Sequence, residues 1–107
     1  MSDIQMEPGE LKKRLDAGEK LLIVDCREPW ENQVCAIAGS KLVPLNTIPA
    51  SLAEFQGVEE IVVYCHHGMR SLNAAAWLRQ QGIDGARSLN GGIERWATEI
   101  DPNLAHY

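Results

Sequence analysis

Ile61-Val62-Val63-Tyr64-Cys65-His66-His67-Gly68-Met69-Arg70-Ser71 joins an apolar run to a cysteine, a glycine-bearing loop and the start of a helical pattern. Four apolar residues without alternation suit a strand covered on both faces, as in a parallel sheet. A strand-to-helix turn aims backbone N–H groups and the positive end of a helix dipole at one point. Cys65, placed there, is expected to have a depressed pKa and to act as a nucleophile. Gly68 lets the backbone curl so that successive N–H groups face inward, and Arg70 adds a cation. The spacing Cys-x4-Arg thus describes a cup for a small anion, at the strand end where open α/β sheets bind ligands.

Outward from this stretch, Leu21 to Val24 is a second continuous apolar run, and Leu42-Val43-Pro44-Leu45 predicts a shorter strand. Glu7-Pro8-Gly9-Glu10 opens a short amphipathic helix on which Leu11 and Leu15 share a face and which Gly18 ends. Ile48, Leu52 and Phe55 give a brief helical face before Gly57. Ser71 to Gln81 predicts the most buried helix, with Leu72, Ala74, Ala75, Ala76, Trp77 and Leu78 nearly encircling it. Ala86 to Leu89 adds a strand, Gly91-Gly92 opens a last helix carrying Ile93, Trp96, Ala97 and Ile100, and Asp101 onward reads as a surface tail. Strands alternating with helices predict a small α/β domain.

At 107 residues and 45% hydrophobic content, one domain over 1–107 can bury its own core, as a monomer or weak dimer. A net charge of -5 and the lack of any Lys/Arg run argue against nucleic acid or an anionic membrane as partner. Met1 to Glu10 is polar and acidic and no apolar run approaches membrane-spanning length, so a cytoplasmic location is expected. Three cysteines at irregular spacing fit a reducing compartment better than a disulfide framework.

Four segments resemble the rhodanese family over most of the chain. Asp25-Cys26-Arg27-Glu28-Pro29-Trp30-Glu31 is similar to its Asp-x-Arg-Glu-x-x-Glu segment. Val34 to Ser40 with Val43-Pro44-Leu45 resembles the next turn and strand, and Cys65 to Ser71 the active-site loop. Leu89-Asn90-Gly91-Gly92-Ile93-Glu94-Arg95-Trp96 is similar to the closing Leu-x-Gly-Gly-x-x-x-Trp signature. One departure stands out: Ala36-Ile37-Ala38-Gly39 occupies the place of a His-Ile-Pro-Gly turn.

The resemblance implies a three-layer domain, a mostly parallel five-stranded sheet with helices on both faces. It also implies a sulfurtransferase in which Cys65 takes a sulfane sulfur from a donor such as thiosulfate and passes it to a thiol or cyanide acceptor by ping-pong transfer. His66, His67, Gly68, Met69, Arg70 and Ser71 would surround the bound sulfur, with no cofactor and no metal; a protein donor or acceptor fits the same scheme. Arsenate reductases and phosphatases of this fold carry Cys-x5-Arg, a wider cup for a tetrahedral oxyanion, and remain the alternative enzymes. A non-catalytic sulfur-binding or regulatory module is a third reading, against which the retained Cys65 and Arg70 argue.

Other residues carry plainer readings. His66 and His67 are expected to face solvent at the mouth rather than hold zinc, because adjacent residues on one tight loop rarely converge on a metal. Cys26 reads as a small core hydrophobe, and Cys35 as either structural or a resolving thiol. Asp25, Arg27 and Glu28 suit a charge network bracing the loop as well as they suit substrate contact. Trp30, Trp77 and Trp96 read as core or rim packing.

Overall fold

The computed structural model describes residues 3–107; Met1 and Ser2 of the expected domain lie outside them. Five strands form one sheet: β1 (Gln5–Met6), β2 (Leu22–Asp25), β3 (Lys41–Leu42), β4 (Ile61–Tyr64) and β5 (Ala86–Leu89). Their order is β1-β5-β4-β2-β3 and every pairing is parallel, so the sheet is wholly rather than mostly parallel. Parallel neighbours need crossover connections, here α1 (Pro8–Asp16), α2 (Pro29–Val34), α3 (Leu52–Phe55) and α4 (Met69–Gln80), with α5 (Gly92–Glu99) closing the fold.

The apolar run that identified β4 is central: all four of its residues are buried, between β5 and β2. Because successive side chains alternate across a strand, the two faces collect different residues. Val24, Ile61 and Val63 lie with Phe55, Ala75 and Leu78 on the side of α3 and α4. Ile23, Val62 and Tyr64 lie with Leu11, Ile93 and Trp96 on the side of α1 and α5. Each buried Val, Ile or Leu contributes about 1.5–3 kcal/mol.

Four expectations change. Gln5–Met6 is a strand too short to leave a pattern, yet Met6 is buried opposite Leu89. Pro29–Val34 is a helix, started by Pro29 and by a reciprocal capping box between Glu28 and Glu31. The strand at Leu42–Leu45 shortens to Lys41–Leu42, since Pro44 has no N–H and the chain turns into a 3-10 helix at Leu45–Thr47. The residues after Asp101 are not a free tail: Leu104 and Tyr107 pack on the α1/α5 side of the core. Trp96 is buried, Trp77 partly buried and Trp30 exposed.

Candidate active site

Cys65 is the first residue beyond β4, and four residues later α4 begins. Gly68 makes that short reversal with φ +108, and a Cβ there would lie 3.3 Å from Gly91 N. The curl brings the Gly68 N–H to 3.2 Å and the Ser71 N–H to 3.3 Å from Cys65 Sγ. The Ser71 hydroxyl lies 3.5 Å from the sulfur and 2.7 Å from the Ser88 hydroxyl. The Ser71 hydroxyl also lies 3.3 Å from Gly68 O, so with Ser88 donating to it the Ser71 proton is shared between that carbonyl and the sulfur. The Cys26 thiol, the Ser71 hydroxyl and these two N–H groups together outweigh burial and pull the Cys65 thiol down to about 5. Cys65 is only 1% exposed, so its anion is held by dipoles rather than by water.

The last helix fastens the loop from behind. Ile93 N–H donates to Cys65 O at 2.9 Å and Glu94 N–H to His66 O at 3.1 Å. Such close approach requires Gly92, where a Cβ would lie 2.3 Å from His66 O and 2.5 Å from Cys65 O.

Arg70 sits at the base of the loop and binds Glu31 through two bonds of 2.8 and 2.9 Å. Glu31, led by Arg70 and helped by Tyr107, is held at about 2 despite its burial. Arg70 is held above its usual range chiefly by Glu31, while the nearby Cys65 anion adds to the effect. The Tyr107 hydroxyl donates to Glu31 Oε2 at 2.6 Å and accepts from Arg27 Nη1 at 3.0 Å. Arg27 and Asp25 are fully buried and joined by bonds of 2.8 and 2.7 Å, and Asn32 donates to Asp25 at 2.9 Å. A chain of charge therefore runs from Asp25 through Arg27, Tyr107 and Glu31 to Arg70. Of the two roles the sequence left open for them, Asp25 and Arg27 take that of a brace, whereas Glu28 serves as the cap of α2.

His67 and Met69 face solvent at the mouth, Met69 with 72% exposure. His66 does not: its ring is stacked between those of His67 and Tyr107, each 4.0 Å away. Its Nε2 lies 3.5 Å from Glu94. Among the described residues no cluster of three or more His, Cys, Asp or Glu is placed to hold a metal ion. The turn that lacks the family's histidine is held by the Tyr64 hydroxyl, which accepts from Ile37 N–H at 3.1 Å and pairs with Ser40 at 2.9 Å. Cys35 lies across the sheet from Cys65, with its Sγ 3.9 Å from Arg27 Nη1. The sequence reading missed the roles of Tyr107, Glu31, Ser88 and the contact between Cys26 and Cys65.

The family model for the rhodanese-like domain matches residues 7–99. The chain is a rhodanese-like domain. It is 36% identical over 102 residues to a probable adenylyltransferase/sulfurtransferase, MoeZ, of Mycobacterium tuberculosis, covering 94% of this chain but 26% of that protein. The chain thus spans about a quarter of that relative's length. A sulfurtransferase of Allochromatium vinosum is 36% identical over 101 residues, covering 94% of each chain. Among solved structures, SSP1007 of Staphylococcus saprophyticus superposes with a TM-score of 0.82 at 29% identity, covering 95% of this chain and 98% of that one. This rhodanese-like domain belongs to a family that includes sulfurtransferases, and no helix among its described residues is long and apolar enough to cross a membrane.

Proposed function

We propose that this rhodanese-like domain, acting as one unit over 1–107, transfers sulfane sulfur through a persulfide on Cys65. The observation that carries the reading is the Cys65 sulfur held at 3.2 and 3.3 Å by the Gly68 and Ser71 N–H groups. The Cys65 thiolate attacks the outer sulfur of a donor such as thiosulfate, the S–S bond of the donor breaks, and sulfite leaves with the bonding pair. The outer sulfur of the persulfide is then taken by a thiol or cyanide, and Cys65 returns as thiolate. The loop N–H groups stabilise the anion at both stages. A ring of six residues from Cys65 to Arg70 suits one sulfur atom, which favours this chemistry over oxyanion chemistry.

Selection among donors and acceptors, small or protein-borne, falls to the exposed His67 and Met69, because the loop interior recognises a sulfur anion rather than a carbon skeleton. Three free cysteines suit a reducing compartment such as the cytoplasm, and the domain works as a monomer or weak dimer. The test is thiocyanate formation from thiosulfate and cyanide. Cys65→Ser is expected to fall to the uncatalysed background, and thiosulfate alone to add one sulfur atom to the Cys65 peptide by mass spectrometry. A fully active Cys65→Ser protein, or the added sulfur on Cys35, overturns the reading; hydrolysis of an aryl phosphate without sulfur transfer promotes the phosphatase alternative.

A further inference from the structure

Cys26 and Cys65 each stand directly beyond one of two paired strands. Asp25 lies opposite Tyr64 in the parallel register of β2 and β4, and Cys26 N–H donates to Tyr64 O at 3.1 Å, so the pairing runs on to the two cysteines. Neighbouring strands lie about 4.8 Å apart, inside the Cα separation of about 4.4–6.8 Å that a disulfide spans. By alternation both side chains fall on the face of Val24 and Val63, in one buried cluster, each 1% exposed. Cys35 is on the opposite face.

We propose that Cys26 is an internal acceptor: when no external acceptor arrives, it discharges the sulfur carried by Cys65 as hydrosulfide and closes a Cys26–Cys65 disulfide. The inference rests on the persulfide reading of Cys65. The Cys26 sulfur bonds to Cys65 Sγ, the bond from that Sγ to the outer sulfur breaks, and the outer sulfur leaves with the electron pair. The Cys26 proton goes with it, so a persulfide anion and a thiol become a disulfide and HS⁻. The sulfane sulfur is reduced and the two cysteines are oxidised, and no other oxidant is needed. The proton is in place because the neighbouring Cys65 sulfur and burial both hold Cys26 as a thiol. Two equivalents of a low-molecular-weight thiol reopen the disulfide by exchange, leaving as their own disulfide. Burial keeps bulky acceptors from the inner sulfur, which leaves Cys26 as its near neighbour.

The experiment uses the full chain, reduced and freed of small thiols, mixed anaerobically with thiosulfate while sulfite, sulfide and intact mass are followed. The wild type is expected to release sulfite, then a matching amount of sulfide, and to end two hydrogens lighter than it began, with the Cys26 and Cys65 peptides linked. Cys26→Ser and Cys26→Ala are expected to keep the added sulfur and release at least about tenfold less sulfide. Sulfite release followed by a lasting one-sulfur adduct on the wild type overturns this inference and leaves the persulfide reading standing. Absence of sulfite release overturns both. Diamide oxidation of the wild type, which needs neither variant nor persulfide, is expected to link Cys26 to Cys65; a link to Cys35, or none, overturns the inference.

Discussion

Two groups side by side at the carboxyl ends of β2 and β4 hold negative charge in opposite ways. Around Asp25 and Glu31, each carboxylate meets a guanidinium through two bonds, with Tyr107 bridging the pairs. Around Cys65, no cation among the described residues touches the sulfur; two N–H groups, a hydroxyl and a thiol share it. The contrast explains why Arg70, the obvious counter-ion for a cysteine anion, is turned onto Glu31. A bidentate partner fixes a charge in place, which serves a brace, whereas dispersed neutral donors lower the thiol's pKa and leave its lone pairs free for reaction.

The contrast breaks most violently on the brace side. Asp25→Ala strands the buried Arg27 guanidinium and is expected to cost about 3–5 kcal/mol of stability by chemical denaturation. A loss under about 1 kcal/mol, the range of surface pairs, would mean that this ion pair is not the brace described.

On the sulfur side, Ser71→Ala removes one donor and leaves Ser88 without its partner, so the charged form of Cys65 is less favoured. Iodoacetamide alkylation of Cys65 is expected to titrate near pH 5 in the wild type and at higher pH in the variant. An unchanged midpoint would show that Ser71 does not share the charge. The accompanying loss of stability should be about 1–3 kcal/mol.

The smallest effect belongs to the bridge. Tyr107→Phe keeps the ring on His66 and removes only the hydroxyl, for about 0.5–1.5 kcal/mol at neutral pH. The sign of its pH dependence follows from Glu31, whose folded value of about 2 lies below the usual carboxylate value of about 4.3. That stabilisation is complete above the unfolded value and disappears as pH falls toward 2. The stability gap between wild type and variant should therefore shrink on acidification, and a constant gap would separate Tyr107 from Glu31.

The sequence made the sulfur side legible because its signals are local. Apolar Ile61 to Tyr64, Cys65, Gly68 and a following helix are contiguous, and the loop forms from its own residues. The brace was legible only in part: Asp25 and Arg27 stand two positions apart, but Tyr107 reaches Glu31 across 76 positions of chain, and no pattern of apolar residues marks a single returning aromatic. Strand β1 and helix α2 were missed because two and six residues are too few to show a period. The Cys26–Cys65 contact left a signal that could have been used. Two four-residue runs, Leu22 to Asp25 and Ile61 to Tyr64, are each followed by a cysteine, and parallel pairing in register places those cysteines together.

The grip of α5 on the loop has a further consequence for motion. Since Ile93 and Glu94 donate their amide protons to Cys65 O and His66 O, the loop cannot lift without freeing both. Deuterium uptake at those two amides therefore follows the opening of the cysteine loop, although they lie nearly thirty residues further along the chain.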